Sequence, residues 1–272
     1  MMKVKIKFWK MHGAGNDFIL VDDRLLRFPV TDHRWISRIC SLHKGIGAEG
    51  LILLQPSDEA SFFMRFFNPD GSEADMCGNG LRCAARLAND LGIAGKEMTV
   101  KTQAGILEAA IIKNSARVAM PLSSAVRLNF PVQAGGQSIM CNFINTGVPH
   151  VVVETENLEA VDLQNIGPLL RRHKDFAPKG ANVDYMRITG DHSLSVRTYE
   201  RGVEAETLAC GTGITACAIV AVLNNRLTPP VRVKCRHGDT LEVDFKRNGK
   251  RVQDVTLLGP AMHVFQGEIS YP

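Results

Sequence analysis

Two cysteines sit in matching turns, Met76-Cys77-Gly78-Asn79-Gly80 and Ala209-Cys210-Gly211-Thr212-Gly213. Each thiol stands just ahead of small residues that open a helix, a position that can lower a thiol pKa and turn backbone N–H groups toward an anion. Two such turns in one chain suggest a single active centre assembled from two halves. The chemistry open to such a pair is inversion of a carbon acid by two bases: one thiolate removes a proton, and the other thiol returns a proton to the opposite face. An α-hydrogen beside a carboxylate is very weakly acidic, so the site must also stabilise a developing enediolate-like dianion. N–H donors and positive dipole ends from two helix N-termini would do that. Gly78, Asn79, Gly211 and Thr212 are placed to supply them, since small residues let the backbone approach a ligand closely.

The elements that carry these turns repeat as well. Cys77 leads into a helix-like run (Leu81, Ala84, Leu87, Ala88, Leu91) that stops at Asn89-Asp90-Leu91-Gly92, and Cys210 leads into Ile214 to Leu223, ending at Asn224-Asn225. A strand, turn and strand follow each, over Thr99 to Glu108 and over Val231 to Glu242. Upstream, His12-Gly13-Ala14-Gly15-Asn16-Asp17 has a looser counterpart in Asn145-Thr146-Gly147-Val148-Pro149-His150, and Gly47-Ala48-Glu49 has one in Gly180-Ala181-Asn182. The chain reads as a duplicated unit of about 130 residues, domain-sized and too long for a solenoid repeat.

Period-two alternation predicts strands at Val4/Ile6/Phe8, Leu194/Val196/Thr198, Val231/Val233/Cys235 and Leu241/Val243/Phe245, with Asn248-Gly249 as a hairpin turn. Helices are expected over Asp32 to Leu42, after each cysteine turn, and near Asn165 to Arg172. The run Ile214 to Leu223 is apolar on every face and must be surrounded by protein. The expected class is therefore α+β, with two similar halves, each a curled sheet around a helix, and Pro121 to Gly136 as the crossover.

Composition fits a soluble two-domain protein: 272 residues, 45% of them hydrophobic, are enough for two cores. The longest near-continuous apolar run, Ala216 to Leu223, is 8 residues, against roughly 20 for a bilayer-spanning helix, so no membrane partner is expected. The N-terminus alternates lysine with apolar residues, as a half-buried strand does and a signal peptide does not. Seven cysteines, an odd number, with no export signal, point to reduced thiols in a cytoplasm and keep Cys77 and Cys210 available. The 32 basic and 28 acidic residues are interspersed and the net charge is only +4. Arg171-Arg172-His173-Lys174 therefore reads as a solvated face rather than a nucleic-acid patch. A zinc site would normally show a C-x-x-C spacing, which the chain lacks, and Gly13-Ala14-Gly15 is not followed by the rest of a dinucleotide loop.

Three long segments carry a resemblance to a known family. His12-Gly13-Ala14-Gly15-Asn16-Asp17-Phe18, Phe67-Asn68-Pro69-Asp70-Gly71-Ser72-Glu73-Ala74-Asp75-Met76-Cys77-Gly78-Asn79-Gly80-Leu81-Arg82-Cys83, and Tyr199-Glu200-Arg201-Gly202 running to Ala209-Cys210-Gly211-Thr212-Gly213 resemble the diaminopimelate epimerases. The resemblance implies a pyridoxal-phosphate-independent enzyme, with no cofactor and no metal, that interconverts LL- and meso-diaminopimelate for lysine and peptidoglycan precursors. It implies two pseudo-symmetric barrel-like halves, residues 1–121 with Cys77 and 122–258 with Cys210, and a last strand in 259–272 that returns to the first half. It makes Cys77 and Cys210 the catalytic thiols and His150 and Glu200 the groups that assist their deprotonation. It makes Asn16, Asn68, Asn182, Glu200 and Arg201 substrate contacts, with Arg201 suited to bidentate capture of the distal carboxylate. Gly78-Asn79 and Gly211-Thr212 become the helix ends that hold the reacting carboxylate. The partner implied is a small amino acid, and the chain is compatible with a homodimer.

The chain departs from the family pattern at Val148, where many members carry an asparagine, at Gly50, where many carry a polar side chain, and in one extra residue between Arg201 and Cys210. The reacting end is thus expected to be conventional and the distal end less selective. The alternatives are a racemase or epimerase of proline, hydroxyproline or glutamate type, a non-catalytic amino-acid-binding protein, or a thiol redox switch.

Overall fold

The computed structural model describes residues 4–120, 126–236 and 238–272, and the chain divides into two compact units. One comprises residues 1–118 with 259–272, the other residues 119–258.

The first unit contains β1 (Val4–Gly13), β2 (Asn16–Asp22), α1 (His33–Cys40), β3 (Leu51–Gln55), β4 (Phe62–Phe67), β5 (Glu73–Ala74), α2 (Gly78–Asp90), β6 (Glu97–Thr102), β7 (Gly105–Ile112) and β8 (Ser115–Ala119). Its sheet runs β1–β2 antiparallel, β2–β3 parallel, β3–β4 antiparallel, β4–β6 parallel, then β6–β7 and β7–β8 antiparallel. Strands β1, β2, β3 and β7 pack on α2, which buries Leu81, Cys83, Ala84, Leu87 and Ala88 completely.

The second unit contains β9 (Val126–Ala134), β10 (Gln137–Asn145), β11 (Pro149–Glu154), α3 (Leu163–Arg171), β12 (Asn182–Gly190), β13 (Ser193–Glu200), β14 (Ala205–Thr207), α4 (Gly211–Leu223), β15 (Val231–Lys234), β16 (Thr240–Asn248) and β17 (Arg251–Pro260). Its order repeats the first: β10–β11 antiparallel, β11–β12 parallel, β12–β13 antiparallel, β13–β15 parallel, then β15–β16 and β16–β17 antiparallel. The apolar helix α4 is buried from Gly213 to Leu223 and is packed by β10, β11, β12, β13, β15 and β16. A helix without a polar face loses no hydration by being enclosed, and the surrounding strands satisfy their own backbone groups.

Each unit also carries one more antiparallel strand on its first. In the second unit β9 pairs with β10; in the first, β18 (Met262–Tyr271) pairs with β1 from Val4↔Tyr271 to His12↔Met262. The end of the chain thus supplies the position that β9 fills in the other unit. The expected α+β class with two like halves is the observed one. Asp32 caps α1 by accepting from the Trp35 N–H, and Asp162 caps α3 in the same way. The hairpin turn falls between Asn248 and Arg251 as expected. The expected crossover becomes strand from Val126 onward; Pro121 to Ala125 lie outside the described residues. No helix among the described residues is long and apolar enough to cross a membrane.

Candidate active site

Both thiols occupy the N-cap position of a helix, Cys77 ahead of α2 and Cys210 ahead of α4, in extended backbone and without a side-chain cap bond. The first N–H groups of a helix have no intrahelical acceptor, so Gly78 and Asn79 in one unit, and Gly211 and Thr212 in the other, present donors beside a thiol. All seven cysteines are free thiols.

In the second unit, strand register gathers the neighbours of Cys210. His150 on β11 lies opposite Asn182 on β12, and Asp184, two residues along the same strand face, lies opposite Thr198 on β13. His150 Nδ1 is 2.7 Å from Asp184 Oδ2, and Thr198 donates its hydroxyl to Asp184 Oδ1 at 2.6 Å. The other ring nitrogen, Nε2, is 2.9 Å from Thr212 Oγ1 and 3.3 Å from Asn182 Nδ2. Thr212 Oγ1 in turn lies 3.3 Å from Cys210 Sγ. Thr146 donates its hydroxyl to the Thr212 carbonyl at 2.9 Å, tying the turn to the end of β10. His150 and Asp184 are wholly buried and Asn182 almost so. Burial holds the Cys210 thiol well above the ordinary cysteine range, reinforced by the negative charges of Glu200 and Asp184 and opposed by hydrogen bonds from Thr212 and the Gly213 N–H. The expectation that a helix N-terminus lowers the thiol pKa therefore does not describe Cys210: desolvation outweighs the helix end.

The first unit surrounds Cys77 differently. The half-buried thiol donates to Asn16 Oδ1 at 3.7 Å, and Asn79 Nδ2 donates to the same oxygen at 3.1 Å. Asn79 is held by the fully buried Arg82, whose Nη2 donates to Asn79 Oδ1 at 2.9 Å. The Asn16 amide donates to Glu49, whose carboxyl is raised by desolvation against that hydrogen bond. Asn68 is engaged in its own turn, where Nδ2 donates to Ser72 Oγ at 3.1 Å.

Of the residues singled out from sequence, Cys210, Thr212, His150 and Asn182 form one connected cluster. Glu200 is close enough for its charge to act on Cys210, and Arg201 joins through its backbone N–H, which donates to Asn182 Oδ1 at 2.7 Å. Cys77, Asn79 and Asn16 form the other cluster, while the Asn68 side chain is bonded within its own turn. Sequence reasoning missed Asp184, Thr198 and Thr146. The signal for Asp184 was available, since a carboxylate two residues beyond Asn182 on a strand shares its face.

Two mixed-sheet halves, each around a helix that begins at a cysteine, define a fold shared with a Bacillus anthracis phenazine biosynthesis protein of the PhzF family, with a TM-score of 0.76 at 16% identity over 98% of this chain and 99% of that one. At that identity the likeness concerns the fold alone. The family model for diaminopimelate epimerase matches residues 8–128 and 142–264. The diaminopimelate epimerase of Aquifex aeolicus (strain VF5) is 41% identical over 97% of this chain and 98% of its own length. That of Chlorobaculum tepidum is 40% identical over 96% of this chain and 100% of its own length. The chain belongs to the diaminopimelate epimerase family and is an isomerase; the activity that goes with the family is epimerisation of diaminopimelate, in lysine biosynthesis.

Proposed function

We propose that the chain interconverts LL- and meso-diaminopimelate by two-base chemistry, Cys77 and Cys210 each exchanging a proton with the α-carbon of one substrate. The observation that carries this reading is the matched placement of both thiols at helix N-caps beside first-turn N–H groups. In each direction one thiolate takes the α-proton and the other thiol gives its own. The N–H groups of Gly78, Asn79, Gly211 and Thr212 receive the substrate carboxylate as it gains enediolate character, which lowers the barrier where charge develops. His150 and Glu200 assist thiol deprotonation. Asn16, Asn68 and Arg201 contact the substrate, with Arg201 on the distal carboxylate. Val148 and Gly50 offer no polar side chain to the distal end, so selectivity there is relaxed. The free thiols suit a reducing, cytoplasmic setting.

Incubation of the reduced protein with LL-diaminopimelate in D₂O tests the reading. The expected result is deuterium at the α-carbon together with the meso isomer, both abolished in Cys77→Ala and in Cys210→Ala. Absence of exchange in the reduced wild-type protein would overturn it.

A further inference from the structure

We propose that Glu204, gripped by Arg171 and Arg172, is the positioning residue that holds the Arg201 turn ready for the distal carboxylate, and so sets how tightly the remote end of the substrate is bound. The proposal rests on the reading above that places Arg201 at that carboxylate. It gives a task to two features of the sequence that the chemistry at the α-carbon does not use: the basic run Arg171-Arg172-His173-Lys174 and the extra residue between Arg201 and Cys210.

The turn that follows β13 is closed by the Glu204 N–H, which donates to the Glu200 carbonyl at 2.8 Å. Glu204 stands there at a φ of +57°, in the left-handed region that glycine enters freely and residues with a side chain rarely do. A glutamate persists in such a conformation only where its surroundings over-determine it. The Tyr199 hydroxyl donates to the Glu204 carbonyl at 2.8 Å, and the Gly202 N–H donates to Oε1 at 3.2 Å. Arg171 meets the same Oε1 with both Nε and Nη2, each at 2.9 Å, and Arg172 Nη2 donates to Oε2 at 3.0 Å. The Gly202 N–H above all, and then the two arginines, hold the Glu204 carboxyl below the ordinary carboxylate range against desolvation, so the cluster is charged at neutral pH.

Arg171, the last residue of α3, also reaches the loop that leads into β12. Its Nη1 donates to the Lys179 carbonyl at 3.4 Å, and its own carbonyl accepts the Ala181 N–H at 3.1 Å. Gly180 makes that approach possible, since a Cβ on it would lie 2.7 Å from the same Nη1 and 2.2 Å from the Arg171 carbonyl oxygen. The residue after Ala181 is Asn182, whose Oδ1 takes the Arg201 N–H at 2.7 Å. One arginine thus ties the approach to Asn182 to the far end of the turn, with the Arg201 backbone fixed between them. The Arg201 side chain itself enters no ion pair or hydrogen bond among the described residues. Ion pairs as exposed as these, with Glu204 at 31% and Arg172 at 66%, add little to stability. Two guanidinium groups on one carboxylate do supply a fixed geometry, and a turn already ordered loses less freedom when Arg201 takes up a ligand.

Calorimetric titration of the full-length, reduced protein with meso-diaminopimelate, with kcat measured alongside, tests the assignment. Glu204→Ala should weaken binding by about tenfold and leave kcat within about threefold, because the thiols and their helix ends are untouched. Arg171→Ala, which keeps the glutamate and removes its Nε and Nη2 donors, should do the same, and it carries the test if Glu204→Ala does not fold. In an Arg201→Ala background neither change should weaken binding further, since no guanidinium is left to position. Wild-type affinity in Glu204→Ala and Arg171→Ala overturns the proposal while leaving the role of Arg201 standing. So does a fall in kcat at unchanged affinity, or a loss of affinity that persists undiminished in the Arg201→Ala background. If Arg201→Ala itself binds as the wild type does, the placement of Arg201 at the distal carboxylate falls, and the task given to Glu204 falls with it. The titration requires no turnover, so it decides the matter even if the D₂O experiment fails to show epimerisation.

Discussion

The third residue of each thiol-bearing helix is a glycine, Gly80 in α2 and Gly213 in α4, and alanine should have different effects at the two. A Cβ on Gly213 would lie 2.3 Å from Asp184 Oδ1 and 3.3 Å from His150 Cε1; one on Gly80 would lie 2.8 Å from Ile52 Cδ1 and 3.3 Å from Met64 Cε. Replacing a helical glycine gains at most about 1 kcal/mol in intrinsic propensity. At Gly80 the atoms in the way are the ends of flexible apolar side chains, so a small rotation restores contact and the net change stays within about 1 kcal/mol. At Gly213 the obstacle is a buried carboxylate whose two oxygens are committed to His150 and Thr198. To regain van der Waals distance it must retreat by roughly an ångström, which breaks at least one hydrogen bond to a charged group. Each such bond is worth about 1.5–3 kcal/mol, and the one to His150 also leaves buried charge uncompensated. Net destabilisation of about 2 kcal/mol or more is expected for Gly213→Ala. Urea unfolding of both variants at pH 7, with kcat measured on the same preparations, checks it. If Gly213→Ala matches the wild type in midpoint and kcat, or if Gly80→Ala is the more damaging, the reasoning about Asp184 is wrong.

Two further outcomes follow from the same structure. Val148→Asn, restoring a polar side chain, should raise the ratio of kcat/KM for diaminopimelate over glutamate by about tenfold or more; an unchanged ratio would mean that Val148 does not govern distal recognition. Burial pushes the Cys83 thiol in α2 from 9.0 up to about 12. A raised folded-state pKa contributes stability that is complete below pH 9 and is lost as pH climbs toward 12. The cost of Cys83→Ala in urea should therefore shrink as pH rises above 9, whereas a cost independent of pH would show that the thiol ionises equally in the folded and unfolded states.

The two cysteine turns, the helices they begin and the repetition of the chain were all legible without coordinates, because each is a local pattern. Small residues after a thiol mark a helix end, and a run with no polar face, Ile214 to Leu223, has nowhere to go but inside a sheet. The repeated order of strands extends that reading, and β18 takes in the first unit the place that β9 takes in the second. The surroundings of the thiols were less legible. Helix ends alone suggested lowered thiol pKa values, yet Cys210 is held high, since how deeply an N-cap residue is buried depends on strands far away in sequence. Asn182 illustrates the same division. Its place beside His150 comes from parallel register between β11 and β12, and the direction of its amide comes from the Arg201 backbone 19 residues on.

The sequence by itself singled out the two thiols as candidates for proton transfer, because a cysteine ahead of a small-residue turn that opens a helix is a local pattern. Only the tertiary structure decided what stands behind each thiol: an amide and Glu49 behind Cys77, a threonine, a histidine and a buried aspartate behind Cys210. The physical reason is that hydrogen-bond direction and desolvation depend on which strands are brought alongside one another, and pairing across 14 to 34 residues leaves no local trace.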